Sequence, residues 1–226
     1  MATVTVNSLI EKASRIIQDQ TNVRWPQSEW LADLNDAQRE VVLYKPQASV
    51  KNVSVLLSAG QTKQALPSDA IQLIEVVRNM GANGSTPGDA IRITSREVLD
   101  AQVPTWHSDV NAGGKIKHYC FDARDPKTYY VYPKAPATAW NIEAVYSAAP
   151  TDCALGGTIQ IDDIYANALL NLMLYRAYSK DAEYAQNAQL AAAYYQSALA
   201  SLGVKGKNEV SQNPNNTLGN PNVVKG

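Results

Sequence analysis

Arg24 to Ser58 reads RWPQSEWLADLNDAQREVVLYKPQASVKNVSVLLS, and the period of its apolar residues changes part-way along. Trp30, Leu34, Ala37, Val41 and Tyr44 recur at helical spacing. Beyond them Val53, Val55 and Leu57 alternate with polar neighbours, the pattern of a half-buried strand. Pro26 suits the first turn of the helix, where a missing amide costs nothing. Pro46 disfavours a helical residue before it and ends the helix at Lys45. One stretch therefore predicts a helix, a stop and the start of a β region.

Toward the N-terminus, Ser8 with Glu11 three residues on reads as a capping box. It opens a helix whose inner face is Leu9, Ala13, Ile16, Ile17 and Gln20. Toward the C-terminus, Ala59-Gly60 makes a turn and TKQALP returns as a strand. AIQLIEVVRNM (70–80) is β-branched and strand-like, GANGSTPG (81–88) is a loop tip, and AIRIT (90–94) is a short strand. Ser95 caps the short helix SREVLDAQ. KIKHYCFDA, TYYVYP and WNIEAVYSA read as three antiparallel strands joined by turns at Asp125-Pro126 and over 133–139.

Helical period resumes with Ile161, Ile164, Tyr165, Ala168, Leu169, Leu172 and Tyr175, with Asp162 and Asp163 where the helix dipole favours negative charge. After a break near Lys180-Asp181, a last helix carries Tyr184, Ala188, Ala191, Tyr195, Ala198 and Leu202 and is predicted to stop at Gly203. The expected fold is α+β. A helix pair over 1–48 packs with a second pair over 159–204 in one bundle. An antiparallel β module with one short helix is inserted over 49–158, and an extended tail occupies 205–226.

Composition narrows the function. Twenty basic residues balance 21 acidic ones for a net charge of −1, which argues against tight sequence-independent nucleic-acid binding. No apolar run is long enough to span a membrane. The start, MATVTVNSLIEKASRIIQ, lacks the features of a signal peptide, so synthesis in a reducing cytoplasm is expected. Cys120 and Cys153 do not make a disulfide framework.

No catalytic constellation stands out. His118 and Cys120 share a strand face, but a zinc site needs further close-spaced ligands, so no metal and no cofactor is expected. Neither G-x-S-x-G nor a phosphate loop occurs. Asp122, Asp125, Asp162, Asp163, Asp181 and Glu183 are carboxylates of the type a cell-wall hydrolase pairs, yet each also reads as a turn or cap residue. A cell-wall-degrading activity stays open as the alternative to a structural role.

Two features point to contacts with other chains. Tyr119, Tyr129, Tyr130, Tyr132 and Tyr146 fall in the β module, and Tyr119, Tyr130 and Tyr132 are candidate interface residues. The stretch GKNEVSQNPNNTLGNPNVVKG (206–226) has six asparagines, no aromatic and few apolar residues. It cannot bury enough surface to offset its ordering entropy and is expected to be disordered in the free protein. Val210, Leu218, Pro221, Val223 and Val224 are its candidate anchors. The tail is either an unused terminus or a docking arm.

RWPQSEWLADLNDAQREVVLYKP (24–46), LPSDAIQLIEVVRN (66–79), SREVLDAQVPTWHS (95–108), HYCFDARDPKTYYVYPKAP (118–136) and the Ile159–Gly203 helix pair around LYRAYSKDAEYAQN occur in this order. In that order and spacing the chain resembles the head-to-tail adaptor, or connector, proteins of short-tailed bacteriophages, over roughly residues 7–203. The resemblance implies a virion protein, not an enzyme, that assembles in the host cytoplasm. Such adaptors form a ring, usually of twelve copies, under the portal. Their C-terminal extension reaches the portal, neighbouring copies pack side by side, and tail nozzle or fibre proteins dock below. DNA passes through the lumen without specific binding.

Overall fold

The computed structural model describes residues 2–109, 114–180 and 185–212. The chain is mixed α and β, with five α-helices and two sheets among the described residues. It divides into two compact units, Met1–Ala48 with Pro150–Gly226, and Ser49–Ala149.

In the first unit, α1 runs Val6–Ile16 and α2 Gln27–Tyr44. A 3-10 turn at Asp163–Tyr165 leads into α4 (Ala166–Lys180), and α5 spans Ala185–Gln212. Helix α4 contacts α1, α2 and α5. Leu9, Trp30, Leu34, Val41, Leu169, Leu172 and Met173 are buried, each on the face its helical spacing assigns. Helix α2 starts after Pro26 and ends at Lys45, before Pro46.

Several helix ends differ from expectation: α1 stops at Ile16, short of the Ile17 and Gln20 assigned to its inner face, and Ile161 and Ile164 precede α4. Helix α1 starts before Ser8, because the Thr5 hydroxyl accepts the Ser8 N–H at 3.2 Å and caps the helix. This first turn buries Val6 fully. Ser8 sits inside the turn and donates its hydroxyl to the Thr5 carbonyl at 2.8 Å, so no Ser8–Glu11 box forms. At the other end, Gly203 does not terminate α5, which continues to Gln212. Its φ is not left-handed, and glycine inside a helix weakens it without breaking it. The tail expected from residue 205 therefore begins as helix, and 213–226 lie outside the described residues.

Residues 150–161 are irregular yet anchored to the helices. Gln38, fully buried on α2, accepts from Gln160 N at 2.7 Å and donates to Cys153 Sγ at 3.1 Å. Asn35 accepts from Cys153 N at 2.8 Å. Thr5 bridges Thr158, and Asp163 takes the amides of Thr3 and Val4 at 2.9 and 3.0 Å. These bonds put the segment after Ala149 with the helices rather than with the strands.

The second unit holds β1 (Val50–Leu56), β2 (Lys63–Ala65), β3 (Ala70–Gly81), β4 (Arg92–Ile93), α3 (Arg96–Gln102), β5 (His118–Phe121), β6 (Thr128–Tyr132) and β7 (Asn141–Ala148). They form not one sheet but two, ordered β1-β7-β3 and β2-β6-β5-β4. The turn at Gly60 is present, with φ +68, but β2 does not return along β1. β1 pairs with β7 over its whole length, and β2 pairs with β6. β4 and β5 are parallel, whereas every other strand pair is antiparallel. Alternation fixes which face of a strand is buried but leaves its partner open.

Val55, Leu73, Tyr119, Tyr129, Val131 and Ile142 share one buried cluster that involves both sheets. Asn79 ties it to the loops. Its side chain donates to the carbonyls of Asp89 and Ile116 at 3.0 and 2.8 Å and accepts from Ile116 N and Trp140 Nε1 at 2.9 Å each. All its hydrogen-bonding capacity is used, which allows an amide at 1% exposure.

Candidate interaction surfaces

The four-stranded sheet is covered on both faces, and this sets the fate of its tyrosines. Tyr119 pairs with Val131, on the face toward the main cluster, and its ring is buried. Burial pushes its phenol up. Tyr119 therefore offers this unit packing rather than an exposed contact. Tyr130 and Tyr132 point the other way, against α3 and the loop after it, and stay half-buried. There Trp106 is fully buried. It donates Nε1 to Asp100 at 2.8 Å and stacks on His107 with ring centres 3.7 Å apart. Tyr130 and Tyr132 meet it edge-on at 6.1 and 6.5 Å. Ser95 stands at the start of α3, as its position predicts, but makes no side-chain cap bond.

A cleft of about 480 Å³ opens beside this cluster, lined by Arg96, Asp100, Phe121, Asp122, Arg124 and Tyr130 among others. Arg96 lies 5.6 Å from the Tyr130 ring centre, a cation–π distance. The Asp122 carboxyl is held down to about 2, chiefly by its hydrogen bond from the Arg124 side chain. Burial raises the Cys120 thiol and keeps it protonated. His118 and Cys120 do share a face, with Tyr132 and Tyr130 as their cross-strand partners. Among the described residues no group of three His, Cys, Asp or Glu side chains is placed to hold a metal.

In the helical unit the carboxylates expected at turns are spoken for. Asp162 accepts from Ile164 N at 3.1 Å, and Asp163 is lowered first by the Thr3 hydroxyl and then by the Val4 and Thr3 amides. Asp181 and Glu183 lie outside the described residues. The charged feature of this unit is a row the sequence reading passed over. Glu29, Asp33, Asp36 and Glu40 follow one another along α2 and meet Arg176 and Lys180 of α4. Arg176 bonds Glu40 at 3.0 Å and approaches Asp36 at 3.6 Å. Lys180 pairs with Glu29 and lies 4.7 Å over the Trp25 ring. Asp33 has no hydrogen bond among the described residues. Its carboxyl is pushed up to about 6, mainly by burial, with Arg176 opposing and Glu29 and Asp36 reinforcing the shift.

The family model described as SU10 adaptor protein matches residues 4–219. The chain belongs to that family. The adaptor is thus a structural component of a phage virion, in agreement with the head-to-tail adaptor resemblance of its sequence. No curated protein matches the adaptor. Among its described residues no helix is long and apolar enough to cross a membrane.

Of the adaptor's expected contact residues, the structure brings Tyr130 and Tyr132 together around Trp106 and separates Tyr119 from them. Val210 lies on α5. Leu218, Pro221, Val223 and Val224 fall outside the described residues. A second tyrosine group lies in the helical unit. On α4 and α5, Tyr175 meets Tyr195 at 4.8 Å and Tyr178 stacks on Tyr194 at 5.6 Å. Tyr44 and Tyr195 share a hydroxyl bond of 2.9 Å, the first cause of a Tyr195 phenol pushed up to about 12. The Tyr194-Tyr195 pair is visible in the sequence, but its partners come from two other helices.

Proposed function

We propose that this adaptor forms a ring of twelve copies beneath the portal and joins the capsid to the tail nozzle or fibre proteins, its lumen being part of the DNA ejection channel. The family match over nearly the whole chain is the observation that carries this reading. In it the two helix pairs form one bundle, neighbouring copies pack side by side, and the chain acts as a scaffold without catalysis. Residues 213–226, extended, span about 50 Å. Leu218, Pro221, Val223 and Val224 anchor that stretch to the portal, with Val210 at its root. Weak anchors repeated around a ring become collectively tight. Tyr130 and Tyr132 present their half-buried edges to a neighbouring copy or a tail protein. A net charge of −1 lets DNA slide through rather than bind.

Imaging of the adaptor mixed with the portal of its own phage tests this. The full chain is expected to add a second ring layer. A chain cut after Gln212, which keeps α5 whole, is expected to lose it. No added layer with the full chain would remove the proposal, and a layer that survives the cut would remove the anchoring role of the tail.

A further inference from the structure

Four strands stand at the edges of the two sheets, and three of them are blunted. β2 has three residues and β4 two. β3 is broken by four register shifts against β7, and its outer edge is covered where Gly88 N bonds Asn79 O at 2.8 Å and Ile91 N bonds Val77 O at 3.0 Å. These are the ways natural sheets avoid pairing at their edges. β1 has none of them. It runs seven residues in unbroken register with β7, and it exposes Val50, Val53 and Leu56, the last at 61%. Its one charge, Lys51, is tied to Asp69 at 2.6 Å.

The bonds flanking β1 fix which of its backbone groups are free. Leu57 N bonds Trp140 O, and Ala148 N bonds Ser49 O, so the odd-numbered residues face β7. The amides and carbonyls of Val50, Asn52, Ser54 and Leu56 point outward, and none has a partner among the described residues.

We infer that β1 is where a second copy of this chain docks, through antiparallel pairing of β1 with its own counterpart about a twofold axis at Val53. Only one antiparallel register uses all four outward residues of both strands. It sets Val50 opposite Leu56 and Asn52 opposite Ser54, and it places Val53 on its own copy. Lys51 then faces Val55, so no like charges oppose. The exposed apolar residues Val50 and Leu56 meet each other, Val53 meets its own copy, and Asn52 meets Ser54. The two three-stranded sheets become one of six. The pair is a state of the free chain and is independent of the ring, whose neighbours meet head to tail around one axis.

The test is the mass of the full chain in solution at about 10–100 µM, the range in which such a pair is read, by light scattering or sedimentation. The wild type is expected to be a dimer. Val53→Lys and Val53→Glu each place like charges face to face and are expected to weaken association more than tenfold. An equimolar mixture of the two is expected to restore the dimer, which a misfolded variant would not do. Asn52→Pro removes an outward amide, leaves the β7 ladder intact and is expected to give a monomer with an unchanged circular dichroism spectrum. A monomeric wild type, or any assembly that Val53→Lys leaves unchanged, would overturn the inference.

Discussion

The helical unit and the β unit solve the same problem with different chemistry. Each must hold irregular segments against regular elements, and each uses a buried side-chain amide to do so, Gln38 in one and Asn79 in the other. Around that shared device they diverge. The α2–α4 seam of the helical unit sets four carboxylates against Arg176 and Lys180 at partial burial. The β unit is aromatic and aliphatic inside, with Trp106, Tyr129 and Ile142 shielded from solvent. Charges at partial burial make stability depend on pH and salt, whereas apolar packing depends on volume. The helical unit therefore carries a carboxyl raised toward neutral pH, whereas the shifted carboxyls of the β unit, Asp69 and Asp122, lie below the usual carboxylate range.

The largest expected effect breaks the dry side of this contrast. Trp106→Ala removes a fully buried ring and its bond to Asp100. It should cost about 3–5 kcal/mol, read as a lower denaturation midpoint at every pH. A loss that varies strongly between pH 5 and 8 would contradict the assignment of this core to packing. Next comes Asn79→Ala, which strands the Ile116 and Trp140 N–H groups and two carbonyls. About 2–3 kcal/mol should be lost. A value near zero would mean that water replaces the amide.

The third prediction concerns the charged side. Asp33 is raised from 3.8 to about 6 in the folded chain, chiefly by burial, so the native state holds a proton that the unfolded chain releases. Its favourable contribution is complete below about pH 4 and is lost as pH rises through 6. Asp33→Asn should thus stabilise the chain at pH 7 by about 1–2 kcal/mol, after discounting for partial exposure, and change nothing at pH 4. A gain that persists at pH 4 would trace it to something other than the charge.

Much of this contrast was legible in the sequence, and what was not has physical causes. The start of α2 at Pro26, its stop before Pro46, its buried stripe and the inward Val55 and Leu57 follow from local rules, whereas Val53, assigned to the same side, is exposed. Strand partners do not. β1 could meet β2 or β7 with the same alternation, and only tertiary packing selects β7. Tyr119 was misplaced because parity separates it from Tyr130 without saying which face is core, and here both faces are covered. The spacing of Glu29, Asp33, Asp36 and Glu40 along one helix could be read. Arg176 and Lys180, far along the chain, could not be matched to it. Thr5 was legible as a cap type, but Ser8 with Glu11 was the stronger local pattern.

The smallest prediction settles a disagreement of this kind. A Cβ added at Gly203 meets nothing within 4 Å, and its φ is not left-handed. Gly203→Ala should raise stability by about 0.5–1 kcal/mol if α5 runs through it. Were Gly203 a left-handed terminator, as its sequence context alone predicts, the same change would destabilise.

The helical unit is assembled from both ends of the sequence, and this bears on how the chain is made. At about 5–20 residues per second, Lys180, the end of α4, leaves the ribosome about 7–26 seconds after Ala48. Throughout that interval the apolar stripe of α2, with Trp30, Leu34 and Val41, waits for α4 and is a target for a chaperone. Ser49–Ala149 is contiguous in sequence and compact in itself, so its own strands are all made before α4 emerges. Once it folds, Ser49 and Ala148 are bonded at 2.8 Å, and the two ends of a hundred-residue excursion meet. An inserted sheet that closed before the late helices dock would act as a clasp. It would shorten the loop that the late helices must close and lower the entropy lost when they dock.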